Sequence, residues 1–119
     1  MNDQAQATGN GQRGLRRFSR HRFDARVQVS VFRDGLTITY WGRSNELGED
    51  GIGATLSGEL KEGEVVSLEF PVSVDPFVMK VRAIVRYSEG LRCCFEFLVT
   101  TSAQKLMLRQ VCINLVNAN

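Results

Sequence analysis

The chain has 119 residues, 43% of them apolar, and a net charge of +2, which is enough for one domain around one core. That balance excludes wholesale disorder and does not mark the surface as one built for a nucleic-acid polymer. No apolar run exceeds three residues, so neither a membrane-inserting helix nor a signal-peptide core is expected.

Residues 1–12, "MNDQAQATGNGQ", are polar and lack apolar periodicity, and are read as a disordered tail ahead of one domain over 13–119. The segment "RGLRRFSRHRFDAR" follows, with Arg13, Arg16, Arg17, Arg20, Arg22 and Arg26 interrupted by a single acid, Asp24. Arginine, with its planar fork, suits phosphates and base edges better than lysine does. The bland reading of the same segment is a solvated basic arm, with His21 facing solvent.

Alternating runs come next. Val27, Val29 and Val31 share one face, Asp34-Gly35 signals a hairpin, and Leu36, Ile38 and Tyr40 share a face after it. Trp41, the single tryptophan, reads as a partly buried strand residue rather than a stacking platform. The stretch "NELGEDGIGATL" sets Gly48, Gly51 and Gly53 among acids before a short apolar run. "EVVSLEF" places Val66, Leu68 and Phe70 on one side, and "PVSVDP" is a loop. "FVMKVRAIVRY" is the longest strand, with Phe77, Met79, Val81, Ala83, Val85 and Tyr87 inward. After "SEG", Leu91, Cys93, Phe95 and Phe97 face in. Six strands at short spacing point to a small antiparallel barrel or sandwich, an all-β class. The period then changes: Leu108, Val111, Cys112 and Leu115 form one helical face, and Thr101 with Gln104 fits a capping box, giving a helix from about Ser102 to Val116.

Cys93, Cys94 and Cys112 are odd in number, and the adjacent pair point to opposite faces of a strand, so a disulfide framework is not expected and a reducing cytoplasm is. One histidine and no CxxC give no support for a metal site. Nothing pairs a nucleophile with a base, so neither enzymatic activity nor a cofactor is expected.

Arginines before the first strand, a glycine-rich acidic turn before the third, six strands and a terminal helix together resemble the PilZ family, over Arg16 to about Val116. The resemblance implies a six-stranded antiparallel β-barrel with a C-terminal α-helix. It also implies a bacterial, cytoplasmic receptor for the second messenger cyclic di-GMP. The family's RxxxR motif falls on Arg16 and Arg20, with Arg17 beside them; Arg13–Arg17 and Arg22–Arg26 also read RxxxR. Its D/N-x-S-x-x-G turn falls on Glu46, Gly48 and Gly51, where glutamate and glycine replace the Asp/Asn and the serine. By resemblance the arginines take guanine and phosphate, and Glu46 takes guanine. The implied partners are cyclic di-GMP and an effector protein in trans, with no nucleic-acid polymer, the chain itself being a monomer or weak dimer. The alternative is a PilZ-fold adaptor that works through protein contacts without nucleotide.

Overall fold

Alternation becomes a closed sheet in the computed structural model, which describes residues 18–72 and 77–118. The tail expected at 1–12, together with Arg13, Arg16 and Arg17, lies outside the described residues, as does most of the "PVSVDP" loop. The strands are β1 (His21–Arg22), β2 (Arg26–Arg33), β3 (Leu36–Leu47), β4 (Gly51–Leu56), β5 (Val65–Pro71), β6 (Val78–Glu89) and β7 (Arg92–Val99), followed by helix α1 (Ser102–Ala118). All pairings are antiparallel. The order β3-β2-β5-β6-β7-β4 returns to β3, so six strands close a barrel and no open edge remains among them. The seventh, β1, is a two-residue strand that alternation does not reveal. It pairs with the end of β3, His21 opposite Leu47 and Arg22 opposite Glu46, beyond the point where β2 leaves that edge.

The inward phase is filled as the pattern requires. Val27, Val29, Ile52, Ala54, Leu68, Ala83, Cys93 and Leu108 are fully shielded, and Phe70 and Phe95 are 1% exposed. Phe70 packs edge-on to Phe23 and stacked with Phe97. The Asp34-Gly35 turn joins β2 to β3 with φ of 50° and 79°, the left-handed pair of a two-residue hairpin.

Four side chains expected on the inner face are not in the core. Leu36, Phe77 and Leu91 are exposed, because they sit at a hairpin tip, before the first β5–β6 pair, and in the β6–β7 turn, where the barrel wall has ended. Tyr87 turns outward because the ladder shifts between Val85 and Tyr87, so that Tyr87 stands opposite Cys94 while Val85 stands opposite the core residue Phe95. Its hydroxyl donates to Glu89.

The helix starts on a reciprocal capping box. The Gln104 amide donates to Thr101 Oγ1 at 3.1 Å and the Thr101 amide to Gln104 Oε1 at 3.0 Å. Gln104 Nε2 also donates to the Lys80 carbonyl at 2.7 Å, fixing the helix start to β6. Leu108, Val111 and Cys112 are buried and Leu115 is partly buried against the core, the face read from the 3.6-residue period.

Candidate functional site

The site grows from the β3–β4 hairpin. Leu47 and Ile52 stand opposite each other and are completely buried, which anchors both ends of the intervening turn. Gly48 N donates to Gly51 O at 2.9 Å and closes it. A register shift between Ser44 and Glu46 adds one residue to β3. Strict alternation would put Ser44 and Glu46 on the same inner face. The bulge leaves Ser44 buried and turns Glu46 to the outer face, opposite Gly53.

Ser44 then stitches the arginine segment to this hairpin. Its hydroxyl donates to the Phe23 carbonyl at 2.6 Å and accepts from the Ala25 amide at 2.8 Å, while its own amide donates to the Ala25 carbonyl at 2.8 Å. Phe23 N donates to Asn45 O at 3.1 Å. These bonds carry the chain across the gap between β2 and β1 and lay Ser19 and Arg20 over the turn. A serine inside a strand gave no signal of this in the sequence, because its partners lie about 20 residues away.

Arg20 is the centre of the arrangement. Its side chain is 9% exposed, with Nη1 3.4 Å from Glu46 Oε2 and Nε 3.5 Å from Asp50 Oδ1. Nε and Oδ1 are shut off from solvent and neither has a hydrogen-bond partner among the described residues, so this ion pair is held by charge without a formed hydrogen bond. Asp50, one of the acids among the glycines of this turn, is therefore a partner of the arginine.

The glycines are required by what lies over them. A Cβ on Gly51 would sit 2.1 Å from the Phe95 carbonyl oxygen of β7 and 2.7 Å from Arg20 Nη2. Gly51 has no left-handed backbone; close approach alone excludes a side chain. A Cβ on Gly48 would fall 2.8 Å from Arg20 Cδ and 2.9 Å from the Ser19 carbonyl. Glycine at the position where the motif has serine thus lets the arginine stem lie against the turn.

On the far side, Arg109 of α1 reaches Glu49 with Nε 3.7 Å from Oε1. Cys112 lies behind the turn, and its thiol is pushed up to about 11, chiefly by burial and then by Glu49 and Asp50, with Arg20 opposing. Burial also raises Cys93. Both thiols stay protonated at neutral pH and are poor nucleophiles. Among the described residues, no three of His, Cys, Asp and Glu are grouped to hold a metal ion, and no helix is long and apolar enough to cross a membrane.

The structure therefore brings together Arg20, Glu46, Gly48 and Gly51, and adds Asp50 and Ser44; Arg16 and Arg17 lie outside the described residues. The family model for the PilZ domain matches residues 15–114.

The chain belongs to the PilZ domain family.

Solved structures agree on the fold. The PilZ domain with c-di-GMP of YcgR from Escherichia coli has 19% identity and a TM-score of 0.67, over 87% of this chain and 92% of that one. The PilZ domain of CeSA from a cellulose-synthesizing bacterium has 18% identity and a TM-score of 0.63, over 82% and 98%. The Bacillus subtilis inhibitor of motility (MotI/DgrA) has 18% identity and a TM-score of 0.65, over 87% of this chain and 52% of that one. No curated protein sequence matches significantly. The PilZ family is one of receptor and adaptor domains and includes domains that bind cyclic di-GMP.

Proposed function

We propose that this PilZ domain is a receptor for cyclic di-GMP in a bacterial cytoplasm, acting on an effector protein in trans and not as an enzyme. One observation carries the reading: Arg20 of the first motif lies folded onto the Glu46–Gly51 turn of the second, so that both halves share one surface. The chemistry suits the ligand. Each guanine presents N7 and O6 to an arginine fork, the phosphates of the dinucleotide accept from charged donors, and a carboxylate accepts from guanine N–H groups. Arg20 supplies the fork and Glu46 the carboxylate, with Arg16 and Arg17 as further cationic contacts. The lack of side chains at Gly48 and Gly51 lets Arg20 lie against the turn, beside Glu46. No cofactor is needed.

Two carboxylates already hold Arg20. A phosphate takes the arginine by displacing Asp50, and the Ser19–Arg20 segment lifts or rotates as it does so. That movement changes the outer surface and is the output. Binding is expected at the micromolar level, corresponding to about −8 kcal/mol. Calorimetric titration of the whole chain with cyclic di-GMP tests this, with heat expected for the native protein and lost in Arg20→Ala. No saturable heat from the native chain at millimolar ligand would overturn it.

The adaptor reading is favoured by one observation, the absence of a side chain at Gly48 together with an arginine stem lying in that space. On that reading the Arg20–Glu46–Asp50 cluster is a finished structural contact. The same titration separates the two.

A further inference from the structure

A depression of about 410 Å³ on the outer wall of β2 and β3 is lined by Arg26, Trp41, Gly42 and Arg43. Its make-up is unusual for a barrel wall. Arg26 and Arg43 stand directly opposite each other as cross-strand partners, a placement in which like charges repel. Asp24 offsets this only in part: it accepts from Arg43 Nε at 2.8 Å, but both side chains are more than half exposed, where an ion pair contributes little. That contact occupies one of the five N–H donors of Arg43, and among the described residues Arg26 has no ionic partner. The row of arginines continues across β4: Arg43 pairs with Thr55, and Thr55 pairs with Arg92. Beside the pair stands Trp41, opposite Gln28, with 49% of its surface exposed. The sequence reading had it partly buried; its phase instead places it on the outside wall.

We propose that this depression is a second ligand site, and that it takes a compound joining a flat aromatic ring to a phosphate, that is, a mononucleotide. Bare phosphate leaves the indole without a role, and an uncharged aromatic leaves the opposed arginines uncompensated. A nucleotide answers both, with its base stacked on the Trp41 face and its phosphate between the Arg26 and Arg43 forks. The volume falls within the range of small-molecule sites. The site does not use Arg20 or the Glu46–Gly51 turn: Arg43 is three positions before Glu46 on β3, roughly 10 Å along the strand.

Trp41 is the only tryptophan in the chain, so its fluorescence reports on this depression alone. The whole protein is titrated with 5′-GMP and 5′-AMP, and in parallel with guanosine, ribose 5-phosphate and inorganic phosphate, each corrected for absorbance. Saturable quenching by the nucleotides is expected, with at least about tenfold weaker response to each fragment, since each keeps one of the two contacts. Arg26→Gln and Arg43→Gln are each expected to weaken nucleotide binding by about tenfold, the loss of a charged contact, with unchanged melting temperature because both side chains are exposed. Arg20→Ala is expected to leave the quenching unchanged. Linear, unsaturable quenching, equal response to ribose 5-phosphate or inorganic phosphate, or loss of the response in Arg20→Ala would each overturn the proposal. The last outcome would assign the nucleotide to the motif surface; failure of the cyclic di-GMP titration leaves this site unaffected.

Discussion

At the scale of single residues, Arg20 decides how the motif surface behaves. Two carboxylates compete with any anionic ligand for it, and one of them, Asp50, meets it at 3.5 Å without a hydrogen bond. Removing that competitor favours the ligand. Asp50→Asn is expected to tighten cyclic di-GMP binding several-fold in calorimetry, and equal affinity in the two proteins would show that Asp50 does not compete. Gly48 is the second decisive residue. A serine there would restore the hydroxyl of the family motif, yet its Cβ falls 2.8 Å from the Arg20 stem. The substitution therefore cannot act as a simple gain of one hydrogen bond; the Ser19–Arg20 segment has to move first. Gly51 is constrained by backbone instead. Gly51→Ala drives a methyl against the Phe95 carbonyl of β7, and an overpacking cost of about 1–3 kcal/mol is expected from chemical denaturation, since the strand cannot yield as a side chain can.

At the scale of elements, two joints matter more than any strand. Ser44 holds the chain between β1 and β2 through three hydrogen bonds, its hydroxyl donating one and accepting another. Ser44→Ala leaves the buried Ala25 amide and Phe23 carbonyl without that partner, a cost of about 1–3 kcal/mol. It also loosens the segment that lays Arg20 on the turn. Faster amide exchange at Ala25 and weaker cyclic di-GMP binding are expected together; native exchange there would show that the stitch is dispensable. The other joint ties the end of β2 to the segment before β5. Arg33 donates to Glu64 through Nε and Nη2, both at 2.7 Å. This hydrogen bonding holds the Glu64 carboxyl below its ordinary range, against a smaller opposing effect of burial. A carboxyl depressed in the folded state contributes stability that is complete above its unfolded value and is lost as pH falls through the folded one. Glu64→Gln is therefore expected to lower stability at neutral pH and to flatten the acid limb of the denaturation profile below the ordinary glutamate range. Identical profiles for the two proteins would disprove the linkage.

At the scale of the whole molecule, closure of the barrel makes the core one continuous cluster from Phe23 to Cys112, so damage at its centre is felt everywhere. Phe95 is 1% exposed on β7, between its ladder partners Ile52 on β4 and Val85 on β6. Phe95→Ala is expected to cost about 3–5 kcal/mol through the cavity it leaves, a large part of the stability of a domain this size. A loss under about 1 kcal/mol would contradict this burial. Closure also leaves the centre filled by side chains, so the ligand sites proposed above are both on the outer wall.

Local chemistry was legible in the sequence. The two-residue alternation located five of the six barrel strands and a short apolar run the sixth, Asp34-Gly35 located a hairpin, and Thr101 with Gln104 located the helix start, because each depends on residues a few positions apart. The resemblance located Arg20 and the Glu46–Gly51 turn. What only the tertiary structure decided is which way particular side chains point and what they meet. The bulge at Ser44 to Glu46 reverses the phase that alternation assigns to Glu46, and the one before Tyr87 does the same there. Phe77 and Leu91 keep the inward phase but lie past the rim, where no wall faces them. Asp50 meets Arg20 across 30 residues, and Arg26 faces Arg43 across a hairpin. Phase along a strand is a local property, but the face it fills and the charge it opposes are set by the neighbouring strands, and those are chosen when the barrel closes.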